Sequence, residues 1–427
     1  MNPSTVRAGL APSRTTLESG VVVLAKETTT TRAVTIDLAM RAGSICDPLD
    51  APGAMYLLSR VIDRGTATRS ADDIAGELDG RGIALTITVA RHLFSIVCTC
   101  LAEDFEAVLS LLAEILMAPS IPESELATRK GEVITAIRQD EDSPAVRAVE
   151  ALMALLYPDG HPYGRRAKGT VEIVESLTRA RLVALHGERF APGELSAAVV
   201  GHVPVGRAQD TAARVFGGWR APRRSPALLP RVAASTARRR LIIPMMNKAQ
   251  ADVAYGFTAV ARADPDFEAA RLMNNVFGQY AIGGRLGDSI RERQGMAYYV
   301  FSSLDASVAE GPLMIRAGVG PANVDRTIAS IDEEIVRLTR DGVTANELNE
   351  SRQYLVGSLP RTLETNAGIA HFLQTIEFFQ LGLDYDVRLP ALLAAVSLEE
   401  VHAAARRLLD PERAAIVVAG PYEETTR

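Results

Sequence analysis

Apolar positions recur along this chain with two periods, one near 3.6 residues and one near 2, and the switches between them mark out its elements. The run Gly20-Val21-Val22-Val23-Leu24 makes residues 15–25 a short apolar strand, and residues 33–42 alternate well enough to be its hairpin partner. Residues 54–64 read as an apolar helix with Met55, Leu58 and Ile62 at core spacing. Ser70 followed by Asp72 and Asp73 starts the next helix with a cap and acids in its first turn. Strands follow over 83–89 and 93–101, then a helix over 104–116 and a long amphipathic one over 122–140. A helix over 145–156 leads into the turn-forming cluster Tyr157-Pro158-Asp159-Gly160-His161-Pro162-Tyr163-Gly164. The first half closes with a helix over 176–190, a strand over 195–200 and a helix over 205–216.

Residues 221–240 are rich in Pro, Arg, Ser and Ala without apolar period, a linker by composition. Beyond it the pattern returns at a steady offset. Ser176-Leu177 answers Ser397-Leu398, and Glu125-Leu126 answers Glu347-Leu348, at separations of 221 and 222 residues. Pro192 and the run Ala197-Ala198-Val199-Val200-Gly201 answer Pro411 and Ala415-Ile416-Val417-Val418-Ala419-Gly420 at 219 residues. Agreement at widely spaced points implies a duplicated unit. The expected fold is therefore α+β, with two homologous domains, 1–220 and 241–427. Each should carry a mixed, mainly antiparallel sheet with helices on one face.

A length of 427 residues, 47% hydrophobic content and a net charge of −6 fit this two-domain reading and give no basic surface for nucleic acid. No apolar run is long enough to cross a membrane, and the first ten residues lack a leader's apolar core, so the expected location is cytoplasmic. Three cysteines, Cys46, Cys98 and Cys100, fit a reducing compartment. His92 precedes Cys98 by six residues, about 20 Å along a strand, so these side chains cannot share one ion.

The chemistry is concentrated in two stretches. Residues 53–66, reading from Gly53 to Gly65-Thr66 after Arg41-Ala42-Gly43-Ser44, place Tyr56, Ser59 and Arg60 on one helix face. That spacing suits two imidazoles on one Zn²⁺ with a carboxylate base beside them. A phenol, a hydroxyl and a guanidinium cannot do that work, because arginine has no lone pair for a metal. The second stretch, Gly283-Gly284-Arg285-Leu286-Gly287-Asp288-Ser289-Ile290-Arg291-Glu292-Arg293-Gln294-Gly295-Met296-Ala297-Tyr298, carries Arg291 and Tyr298 seven residues apart. Gly295 should end the helix bearing Arg291 and turn the chain into the strand bearing Tyr298. Guanidinium and phenol are both hydrogen-bond donors. The Gly283-Gly284 pair lacks the Lys-Ser/Thr ending of a phosphate loop.

Both stretches resemble the M16 (insulinase-like) metallopeptidases, and so does the His161-Pro162-Tyr163-Gly164 turn before Gly169-Thr170. On that resemblance the two zinc histidines fall on Tyr56 and Arg60, the catalytic glutamate on Ser59 and the third ligand on Ala136. Glu132 and Glu141 are nearby but four and five residues off. No metal is expected in this chain. The resemblance implies instead a half-size, non-catalytic subunit whose Arg291 and Tyr298 bind substrate, with Zn in a zinc-bearing M16B homologue as heterodimer partner. Peptides are the implied substrates, the precursor peptide of pyrroloquinoline quinone among them. Two alternatives stand beside this one: a structural subunit like the core proteins of a respiratory complex, and a self-paired peptide-binding protein.

Overall fold

The computed structural model describes residues 9–221, 229–233, 235–280 and 283–423. Of the linker read at 221–240, residues 222–228 and 234 lie outside the described residues. Two compact units are formed, each around its own sheet.

The first half of the chain supplies strands β1 (Ser13–Thr16), β2 (Val22–Glu27), β3 (Ala33–Met40), β4 (Thr86–Val89), β5 (Phe94–Leu101) and β6 (Leu195–Gly201). Its helices are α1 (Ala54–Val61), α2 (Ala71–Asp79), α3 (Phe105–Met117), α4 (Glu123–Glu141), α5 (Pro144–Leu156), α6 (Val171–Ser176), α7 (Arg179–Arg189) and α8 (Val205–Phe216). The second half adds β7 (Arg239–Pro244), β8 (Ala251–Thr258), β9 (Ala297–Leu304), β10 (Pro312–Val319) and β11 (Ala415–Gly420). With them come α9 (Phe267–Asn274), α10 (Gly284–Leu286), α11 (Val324–Asp341), α12 (Ala345–Thr362), α13 (Asn366–Phe378), α14 (Tyr385–Ala395) and α15 (Leu398–Leu408).

The sheets run β1-β2-β6-β3-β5-β4 and β7-β11-β8-β10-β9. From β2 onward the two orders are the same: β2, β6, β3, β5 and β4 answer β7, β11, β8, β10 and β9. The duplication read from scattered residues is thus a duplication of topology. In each sheet a single pair is parallel, β2 with β6 and β7 with β11, and every other pair is antiparallel.

One pairing read from the sequence is corrected. β3 is not the hairpin partner of β2, because β6 lies between them, parallel to β2 and antiparallel to β3. The partner of β2 is β1, reached through the turn at 17–21 where Leu17 N donates to Val21 O. Local alternation marks a strand but carries no record of a partner far along the chain, such as Ser196 opposite Val22. The helix expected over 176–190 is also interrupted: α7 starts afresh at Arg179 because the Thr178 hydroxyl accepts from Arg181 N and caps it.

Val34, Ile36, Leu38 and Met40 of β3 point into the core of the first unit, with Met55, Leu58 and Ile62 and the apolar face of α3. The opposite face of the same strands is covered by α13, which comes from the second half of the sequence. Reciprocally, α5 from the first half packs on β8 and β11 of the second unit. The compact units therefore exchange segments 138–165 and 359–387 relative to a simple division of the chain at the linker. No helix among the described residues is long and apolar enough to cross a membrane.

The seat of α13 contains a buried acid. Asp37, in the middle of β3, is 5% exposed, and its Oδ1 has no hydrogen-bond partner among the described residues. Burial pushes its carboxyl up to about 6, an effect that Gln374 of α13 partly offsets. Gln374 itself donates to the backbone oxygens of Asp37 at 2.6 Å and of Ser196 at 3.1 Å. An unfolded aspartate titrates near 3.9, so the folded state binds this proton more tightly and stability rises as pH falls from about 6 to about 4. Asp37→Asn should therefore stabilise the protein by about 3 kcal/mol at pH 8 and by well under about 1 kcal/mol at pH 4. Urea unfolding at the two pH values checks this, and an equal gain at both would exclude Asp37 as the titrating group.

Candidate functional site

The frame of the site in the first unit is built from backbone contacts. Gly53, at φ +93°, opens α1, and a Cβ there would lie 2.4 Å from the Lys168 carbonyl oxygen. Gly169, at φ +74°, approaches from the other side, where a Cβ would lie 2.2 Å from Pro52 O. Only glycines allow the two segments to cross this closely. The buried carboxylate of Asp47 then accepts from Gly53 N and Met55 N, both at 2.7 Å, satisfying orphan donors at the start of α1. α1 is fixed in place although the chemistry expected of a zinc helix is missing.

On that helix Tyr56 is half-buried and Arg60 is exposed, one turn apart. Lys168 Nζ lies 5.9 Å from the centre of the Tyr56 ring, within cation–π range. Ser59 is buried and turns its hydroxyl back onto its own helix, donating to Tyr56 O at 2.7 Å. Arg60 Nη2 reaches Glu132 Oε2 of α4 at 4.0 Å. Glu132 is one helical turn before Ala136, so the half-buried Ala136 lies along the α4 face that meets α1. Tyr56, Ser59 and Arg60 share α1, and the Arg60–Glu132 contact links that helix to α4. Zinc does not fit the residues there: a guanidinium repels a cation, a methyl group has no lone pair, and the Ser59 hydroxyl is spent on its own helix.

The acids and thiols nearby do not supply a substitute. Glu132 is held below the usual carboxylate range, chiefly by its bond to Arg129. Among the described residues no group of three or more His, Cys, Asp or Glu is placed to hold a metal. Burial pushes the Cys98 and Cys100 thiols up to about 12 and about 11, which leaves both protonated. His161 is engaged structurally within the second unit. Its Nε2 donates to Pro230 O at 3.0 Å while Nδ1 accepts from Tyr163 N at 3.1 Å.

Arg291 and Tyr298 lie in the second unit. Arg291 is carried by Gly287–Arg293, a wide-turn π-helical segment rather than the α-helix its sequence predicts. Such segments are frequent at functional sites because they re-aim side chains. Gly295, at φ +62°, stops it, with Gly295 N donating to Arg291 O and Met296 N to Ile290 O. The guanidinium is 43% exposed and meets the adjacent Glu292 at 3.5 Å, a contact of little energetic weight.

Tyr298 owes its position to a β-bulge. Ala297 pairs with Val319 and Tyr299 with Gly318, so Tyr298 is an extra residue with no opposite number. It lies on β9, an outer strand of its sheet, and is 83% exposed, the largest fraction among the exposed large apolar and aromatic side chains. A tyrosine turned fully to water by a bulge gains no packing energy in this chain, which singles it out as a contact residue. Resemblance to the family's motif could find Arg291 and Tyr298. It could not find the bulge, or Asp47 and the Gly53–Gly169 crossing, because each depends on a partner far along the chain.

Residues 22–166 match the family described as Insulinase (Peptidase family M16), and residues 176–355 match the Peptidase M16 inactive domain. An uncharacterized zinc protease of Mycobacterium tuberculosis is 27% identical over 429 residues, covering 99% of this chain and 96% of its own. A crystal structure of a peptidase M16 inactive domain from Pseudomonas fluorescens superposes with a TM-score of 0.88 at 26% identity, over 98% of this chain and 100% of that one. The periplasmic protease PqqL of Escherichia coli has the same fold, with a TM-score of 0.77 at 16% identity over 96% of this chain and 46% of its own.

Proposed function

This chain belongs to the M16 peptidase family, and from that premise we propose that it is the substrate-positioning, non-catalytic subunit of a heterodimeric zinc endopeptidase. The observation that carries the reading is a contrast within one chain. On the resemblance to the family, Tyr56, Ser59, Arg60 and Ala136 fall on the positions of the metal ligands and the base, while Arg291 and Tyr298 are presented to solvent on a π-helical turn and a bulge.

In this reading the partner is an M16B homologue with intact zinc ligands, and the two chains enclose an extended peptide. The partner supplies the hydrolytic chemistry. Arg291 and Tyr298 donate hydrogen bonds to the carbonyl oxygen of the bond to be cleaved, and those bonds strengthen as the oxygen gains negative charge. The relatives named zinc proteases support a peptidase context, and the inactive-domain match supports a non-catalytic role for residues 176–355. The pyrroloquinoline quinone precursor peptide enters as one test substrate, and cytoplasmic fractionation tests the compartment.

Mixing the purified chain with its zinc-bearing homologue should give peptide cleavage that neither shows alone. Size-exclusion chromatography separates the rival readings. A complex near twice the monomer mass that cleaves supports the peptidase subunit, a constitutive large membrane assembly without cleavage indicates a scaffold, and peptide binding by the chain alone indicates a self-paired binding protein.

A further inference from the structure

The bulge at Tyr298 lies on an outer strand, where only one neighbour holds the register. A slip of one residue there would turn every following side chain of β9 to the opposite face. Something must therefore fix the strand beside the bulge, and the residue next in line is anchored in an unusual way. Tyr299 pairs with Gly318 of β10, and Gly318 pairs on its other side with Asp252 of β8. The three residues form one row across three strands, about 10 Å wide. The Tyr299 hydroxyl donates to Asp252 Oδ1, so the side chain spans the middle strand to reach the third.

That reach requires a glycine in the middle. A Cβ on Gly318 would lie 2.5 Å from Tyr299 Cε1 and 2.2 Å from Gln250 Nε2, and the ring could not lie across the strand. Asp252 is 6% exposed, so its carboxylate depends on protein donors, and Tyr299 is the one it meets along this row. Arg316, two residues before Gly318 on β10, adds favourable charge toward Asp252 and sits 5.7 Å from the Phe301 ring, next on the same face of β9. The anchor and the bulge are adjacent in sequence: Tyr299 is tied down and Tyr298 is left over.

We propose that the Tyr299–Gly318–Asp252 row is a latch that fixes the bulge, making Tyr299 a positioning residue for Tyr298. Its kinetic consequence rests on the substrate-positioning reading above, whereas its structural consequence belongs to the chain alone. Tyr299→Phe removes the donor and keeps the ring. Asp252→Asn keeps a carbonyl oxygen that still accepts the phenol proton, so it should behave as wild type.

The experiment measures backbone amide exchange over residues 297–304 in the full chain and, in parallel, cleavage by the mixture with the zinc-bearing homologue. Tyr299→Phe should speed exchange over 297–304 about tenfold, leave β6 unchanged, and lower kcat about tenfold at constant KM. Asp252→Asn should leave exchange and kcat near wild type. Wild-type exchange in Tyr299→Phe overturns the latch, whether or not the mixture cleaves. Faster exchange with unchanged kcat, in a mixture that cleaves, overturns the positioning role. A wild-type mixture that never cleaves refutes the substrate-positioning reading, while the exchange result still decides the latch.

Discussion

Tyr298→Phe in the assembled peptidase should lower kcat by about 10²–10³-fold, the loss typical of removing one donor from a developing oxyanion. The substitution deletes one hydroxyl from a side chain that is 83% exposed in this chain, so folding should be untouched and far-UV spectra and elution volume should match wild type. Arg291→Ala should cost a similar factor. The double variant should lose less than the product of the two, because both groups serve the same oxygen. Steady-state kinetics of the mixture check all three. A double variant that cleaves at the wild-type rate would remove the role given to the pair.

Rebuilding the metal site gives the second large effect. The combined variant Tyr56→His, Ser59→Glu, Arg60→His and Ala136→Glu should bind about one zinc per chain after dialysis, whereas the wild type should retain none. The geometry makes this reasonable, since Arg60 already reaches α4 through Glu132, one turn from Ala136. The difficult step is Ser59, which is 3% exposed, and a glutamate there must displace packing before it can face a metal. Metal analysis together with an unfolding curve separates the outcomes. A folded variant without zinc would mean that the four positions do not share a site.

How much of this was legible in the sequence depends on the range of the interaction involved. Helix α8 begins and ends at Val205 and Phe216 as its periodicity predicts, and Ser70 caps α2 with acids in the first turn as expected, Asp73 closing a capping box with it. Those signals lie within one or two turns. The 219 to 222-residue offset carried longer information, and it anticipated equivalent helix–strand segments at Arg179–Gly201 and Leu398–Gly420. Pairing of β2 with β6, and the seating of α13 on β3 and α5 on β8, could not be read, because nothing local in those segments names a distant partner.

The site divides in the same way. The assignment of Tyr56, Ser59, Arg60 and Ala136 to ligand positions rests on the family resemblance and on residue identity alone. Tyr298 can be singled out only through the resemblance of residues 283–298 to the family's motif. Its bulge and the reach of Tyr299 over Gly318 exist only when three strands are side by side. Arg291 sits on a π-helical turn whose wider winding follows no residue pattern that separates it from an α-helix.

In the proposed reading this chain completes an active site whose metal belongs to another. The most direct measurement holds the zinc-bearing homologue at fixed concentration and adds this chain while following peptide cleavage. The account predicts that activity rises from near zero and saturates at one chain per homologue. The homologue cleaving at full rate alone, with no response to added chain, would contradict it.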